Sequence, residues 1–119
     1  MNLLSKLIIG FIAVLHIYIL WLEMFAWTTR GPKAFNKTVE EMESSKILAA
    51  NQGLYNGFLS AGLIWSLLIT DAAWSVNVAY FFLGCVIIAG VYGAASVQKS
   101  IFFIQALPAI AAFVVTLLV

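Results

Sequence analysis

Residues 3–27 read LLSKLIIGFIAVLHIYILWLEMFAW, an apolar run with three ionisable interruptions: Lys6, His16 and Glu23. A helix that crosses a bilayer needs about 20 mostly apolar residues, and this stretch meets that length. It makes a poor secretory signal, because the apolar part is too long, holds a glutamate and has no small-x-small cleavage site after it. We read it as a retained membrane helix. Three further stretches follow the same rule: 47–70 and 76–97, both without charge, and 101–119. The runs are continuous rather than alternating, so helices are favoured over a closed barrel. The expected fold is all-α: an integral membrane four-helix bundle with antiparallel neighbours, in a single domain over 1–119.

Composition points the same way. Of 119 residues, 64% are hydrophobic and 9% are charged, whereas a soluble domain carries about 25% charged residues. The mean hydropathy is +1.06. A net charge of +1 leaves no basic footprint for nucleic acid. The single cysteine, Cys85, excludes an internal disulfide and any multi-cysteine metal site. It has no basic neighbour in sequence to make it a thiolate, so it reads as small and inert. One histidine cannot supply a His-rich metal site. No metal or cofactor is expected.

Connections set the topology. The long loop, 28–46, contains Gly31-Pro32, a turn signal, and Thr38-Val39-Glu40-Glu41, which fits a capping box. The second helix is therefore expected to start near Val39, ahead of the apolar run. Loops 71–75 and 98–100 are tight, which forces antiparallel neighbours. Five of the six Lys and Arg residues (Arg30, Lys33, Lys37, Lys46 and Lys99) fall in the first and third loops, against Lys6 on the other side. The positive-inside rule then predicts a multi-pass plasma-membrane protein with loops 28–46 and 98–100 cytoplasmic and both termini outside. On this orientation Trp27 and Phe102 sit near the inner interface and Trp74 near the outer one. The Asn36-Lys37-Thr38 sequon then lies on the wrong side for glycosylation.

The polar residues within the apolar runs are the candidate site. A carboxylate at the centre of a membrane helix costs about 2.5–3.5 kcal/mol on insertion scales, and less near an end, so Glu23 needs a reason to be there. Either it is a proton-coupling, catalytic or cation-anchoring carboxyl, or it is a structural acid hydrogen-bonded in the bundle or beside Arg30. His16 lies seven residues earlier, on the same helix face, with an axial gap of about 10.5 Å. It reads as an interhelical hydrogen-bond partner or as a second titrating group.

The second run carries Asn51-Gln52-Gly53-Leu54-Tyr55-Asn56-Gly57, unusually polar for membrane depth. Gln52 and Asn56 share a face, as do Asn51 and Tyr55. Gly53, Gly57 and Ala61 form a small-xxx-small series that lets another helix approach. Ala89 with Gly93, and Gly90 with Ala94, repeat that device around Tyr92. The fourth run holds Gln105 and Pro108. The proline removes a helical hydrogen bond and clashes with the Ile104 carbonyl, so a kink is expected. By depth, Glu23, Asn51, Gln52, Tyr55, Asn56, Tyr92 and Gln105 all fall in the cytoplasmic half. This predicts one inward-facing polar cavity with His16 at its floor.

Several of these segments together resemble a family: HIYI at 16–19, LEMFAWTT at 22–29, NQGLYNGFL at 51–59 with Ala61-Gly62-Leu63, AGVYGA at 89–94 and QALPA at 105–109. They are similar to the small bacterial membrane proteins grouped as domain of unknown function 1304, over nearly the whole chain. The resemblance implies four membrane helices and brings no activity, substrate or cofactor with it.

Three functions stay open on the residues. The first is binding, and proton-coupled transport, of a small amphiphilic or lipid-like molecule centred on Glu23, with a homodimer formed through the glycine faces. Small multidrug exporters share the size, helix count and first-helix glutamate, by analogy alone. The second is an intramembrane enzyme acting on a lipid or isoprenoid, with Glu23 and His16 as acid and base. The third is a structural or assembly subunit in which the amides are glue.

Overall fold

The computed structural model describes residues 1–118, which are all-α, 85% helical and without strands. The elements run α1 (Leu3–Phe25), α2 (Gly31–Phe35), α3 (Val39–Ser44), α4 (Lys46–Leu68), α5 (Ala72–Ser96), a π-helical turn (Phe102–Ala106) and α6 (Leu107–Leu117). The chain divides into two compact units, one of Val14–Ser60, the other of Met1–Ala13 with the chain from Ala61 onward. α1 and α4 each contribute to both.

The unit of residues 14–60 is built around the turn that the Gly31-Pro32 pair announces. The Arg30 and Gly31 amides both donate to the Ala26 carbonyl, at 2.9 and 3.2 Å. α2 ends at Asn36, whose φ of 54° is left-handed, a conformation asparagine tolerates better than most residues. Thr38 then caps α3. Its hydroxyl accepts from the Glu41 amide at 3.1 Å, and the Glu41 carboxylate accepts from the Thr38 amide at 3.1 Å. Both halves of the expected capping box are present. The helix that starts at Val39 stops at Ser45, and α4 begins afresh at Lys46. Met42 is buried against Gly31. Trp27 Nε1 donates to Ser45 Oγ at 3.1 Å, and its ring meets Phe35 at 5.2 Å.

The other unit is a close packing of α5 on the π turn and α6. α5 buries Ser75, Val78, Ala79, Leu83, Val86 and Gly90, a three-and-four spacing that makes one stripe. α6 answers with Ala109, Ala112 and Thr116, small residues that let backbones approach. Tyr80 and Phe113 stack at 4.7 Å. α5 starts at Ala72, four residues before the expected Val76, because Asp71 is its N-cap: Oδ1 accepts from the Trp74 amide at 2.9 Å. Ser75 Oγ donates to the Ser66 carbonyl at 2.7 Å and clasps the end of α4 to the start of α5.

The fourth expected helix is not one continuous α-helix. Pro108 has no amide to donate, and the chain absorbs the defect as a π turn in which the Leu107 amide reaches back five residues to Phe102. Of the four expected crossings, two are long and apolar enough to span a bilayer, Leu3–Phe25 and Ala72–Ser96. α4 has the length at 23 residues, but Asn51, Gln52 and Asn56 dilute its apolarity. Phe102–Leu117 is apolar but shorter. In each of these two helices only 28% of the most apolar window is buried, so the larger part of that window faces outward.

Candidate functional site

Glu23 meets α4 because two glycines let the helices touch. A Cβ on Gly53 would stand 2.7 Å from Met24 Cγ, 3.0 Å from Glu23 Cβ and 3.2 Å from the Leu20 carbonyl. A Cβ on Gly57 would stand 2.6 Å from Leu20 Cδ1. Any larger residue at Gly53 would push α1 away from α4. With the helices this close, Asn56 Nδ2 donates to Glu23 Oε1 at 2.6 Å. The same amide group also donates to the Gln52 carbonyl at 3.2 Å, which steadies the Asn56 rotamer. Glu23 is half-buried. Its Oε2 accepts no hydrogen bond from the described residues. A carboxylate offers about four acceptor positions, and Asn56 takes one.

The remaining candidates fall differently. His16 is buried on α1, on the face that carries Glu23. Asn51, Gln52 and Tyr55 are exposed along α4, with Tyr55 edge-on to Phe58 at 5.6 Å. Tyr92 and Gln105 belong to the other unit. Tyr92 is 73% exposed, and Gln105 is half-buried within the π turn. Of the small residues, Gly90 packs on the Ala106 backbone and Gly93 on Ile101. Gly62 faces the Phe82 ring. Ala61 and Ala89 are exposed and Ala94 is half-buried.

Two features escaped the sequence reading. Ser45 is the partner of Trp27 across 18 positions, and nothing in the local pattern marks it. Asp71 falls in the expected loop 71–75, yet an acid three positions before Trp74 is an N-cap signal. Around it lies an open groove of 460 Å³, lined by Trp65, Leu68, Ile69, Thr70, Asp71, Trp74 and Val78. A second, of 370 Å³, is lined by Val91, Ala94, Ala95, Lys99, Phe102 and Phe103. Among the described residues no group of three or more His, Cys, Asp or Glu is placed to hold a metal ion. Cys85 is a free, half-buried thiol.

Outside the apolar helices, the clearest electrostatic feature is Glu41. The Thr38 amide, then the Thr38 hydroxyl, hold its carboxyl below the ordinary value of 4.5, with Lys37 adding a smaller pull.

A family model described as "Protein of unknown function (DUF1304)" matches residues 10–117. A protein of Lactococcus lactis subsp. lactis (strain IL1403), described as "Uncharacterized protein YpaA", is 31% identical over 108 residues, covering 88% of this chain and 89% of the relative. No solved structure matches.

Proposed function

We propose, for a chain that belongs to the DUF1304 family, a multi-pass membrane protein that binds a small cationic amphiphile at the Glu23–Asn56 pair and exchanges a proton there. The observation that carries this reading is the 2.6 Å hydrogen bond from Asn56 to Glu23. It holds one carboxylate oxygen in a fixed place and leaves the other open to a ligand or a proton. Asn51, Gln52 and Tyr55 lie within about a turn along α4 and offer further donors and acceptors. Leu54 and Phe58 beside them are exposed and suit the apolar part of an amphiphile.

Membrane placement is supported by the outward-facing side chains. Leu3, Leu7, Phe11 and Val14 on α1, and Phe81 and Ile88 on α5, are all more than half exposed. A soluble monomer rarely exposes apolar patches this extensive, whereas lipid tails would cover them. The cation count of the loops supports the orientation with 28–46 and 98–100 in the cytoplasm.

A purely structural role also has an observation behind it, since the Gly53 contact and the Asn56 bond together clasp α1 to α4. Glu23→Gln separates the two readings. Glutamine keeps an acceptor for Asn56 but cannot ionise. With an alkyl-trimethylammonium probe added to detergent-solubilised protein, the wild type is expected to release protons and Glu23→Gln to fold normally without release. Equal release from both, or none from the wild type, overturns the binding reading and leaves the clasp.

A further inference from the structure

The groove at the α4–α5 turn brings aromatic, apolar and acidic side chains together. Two exposed indoles line it, Trp65 at 56% and Trp74 at 63% exposure. Between them in the chain comes Asp71. Its Oδ1 is committed to the Trp74 amide, while Oδ2 accepts no hydrogen bond from the described residues. Leu68, Ile69 and Val78 supply apolar walls. The Thr70 hydroxyl and both indole N–H groups find no acceptor among the described residues. The helix ends that carry these residues are joined by the buried 2.7 Å hydrogen bond from Ser75 Oγ to the Ser66 carbonyl.

This set matches a particular ligand chemistry. Aromatic faces beside a carboxylate attract an ammonium. Free indole N–H and hydroxyl donors suit a phosphodiester oxygen. Apolar walls at the end of a helix pair suit an acyl chain, and tryptophan is the side chain that settles at the bilayer interface. We propose that this groove binds a phospholipid whose headgroup carries an ammonium, with Asp71 pairing the ammonium, Trp65 and Trp74 flanking the headgroup, and Leu68, Ile69 and Val78 meeting the first part of an acyl chain. The inference rests on the membrane placement above, but not on the Glu23–Asn56 site.

The test uses the full chain reconstituted in nanodiscs of equal phosphatidylethanolamine and phosphatidylglycerol, with retained lipid read by native mass spectrometry. Wild-type protein is expected to retain phosphatidylethanolamine about five-fold over phosphatidylglycerol, the size of one partly exposed cation–π contact. Asp71→Asn keeps the N-cap, because asparagine caps as well as aspartate, yet removes the charge. It should bring the ratio to near one, and Trp65→Leu with Trp74→Leu should do the same. Excess free phosphoethanolamine, which lacks acyl chains, should fail to displace the lipid. No preference in the wild type, an unchanged preference in Asp71→Asn, or displacement by free phosphoethanolamine at the lipid's own concentration each overturns the assignment. Protein recovered in the soluble fraction without detergent overturns the membrane placement and this inference together. Membrane-bound protein without a preference overturns this inference alone.

Discussion

At the scale of single residues, two glutamates show how position decides what a carboxylate does. Glu23 sits in an apolar helix and needs a partner from another element. Its partner, Asn56, is 33 residues away. The polarity of both positions was legible in the sequence, but their pairing was not, since depth along a helix does not specify rotation about it. Glu41 is exposed and satisfies itself locally, three residues from Thr38, so spacing alone was enough to foresee it. Because Glu41 titrates below the ordinary 4.5 in the folded chain, the unfolded chain takes up the proton first as pH falls. The capping box therefore contributes its stability in full above the ordinary value and loses it as pH falls through the lowered one. The Thr38 amide resonance, followed by NMR, should titrate with that lowered midpoint. Glu41→Gln should abolish the titration.

At the scale of elements, the packing of α5 on the π turn turns on one missing side chain. A Cβ on Gly90 would lie 2.6 Å from the Ala106 nitrogen and 3.0 Å from its Cα. Those are backbone atoms that cannot step aside like a flexible side chain. Gly90→Ala should therefore destabilise the protein by about 1–3 kcal/mol, the usual cost of overpacking. Gly84 lies on the same helix with nothing within 4 Å of its would-be Cβ. Gly84→Ala should be neutral or mildly stabilising, since alanine is the better helix former. Thermal unfolding of the two variants in detergent makes the comparison, and equal losses would argue against the close approach at Gly90. The small-residue spacing flags Gly53 with Gly57, Ala89 with Gly93 and Gly90 with Ala94, but does not say which neighbour each meets. Ala61 and Ala89 continue the same patterns and are exposed, so a repeat of small residues marks a helix that can be approached, not the side that is. The π turn is a similar case. Pro108 announced a defect, but whether the chain kinks or takes in an extra residue depends on what packs beside it.

At the scale of the whole molecule, the proposed orientation is open to a direct test. In a Cys85→Ala background, a cysteine placed at Lys37 should react with a membrane-impermeant maleimide only after the cells are opened, and one placed at Asn2 should react in intact cells. The reverse pattern would invert the topology. The same reactivity at both sites, whether both protected or both labelled, would deny that α1 crosses the membrane. The all-α class, the ends of α1 to within two residues, and the cap of α3 needed no tertiary information. They depend on hydrophobic run length and on hydrogen bonds closed within four residues, which adjacent sequence specifies. The Glu23–Asn56 pair, the Trp27–Ser45 bond, the π turn and the Trp65–Asp71–Trp74 groove were decided by folding itself. Each depends on how one helix is rotated and spaced against another, and that follows from the fit of many side chains at once, a property no local stretch of sequence carries.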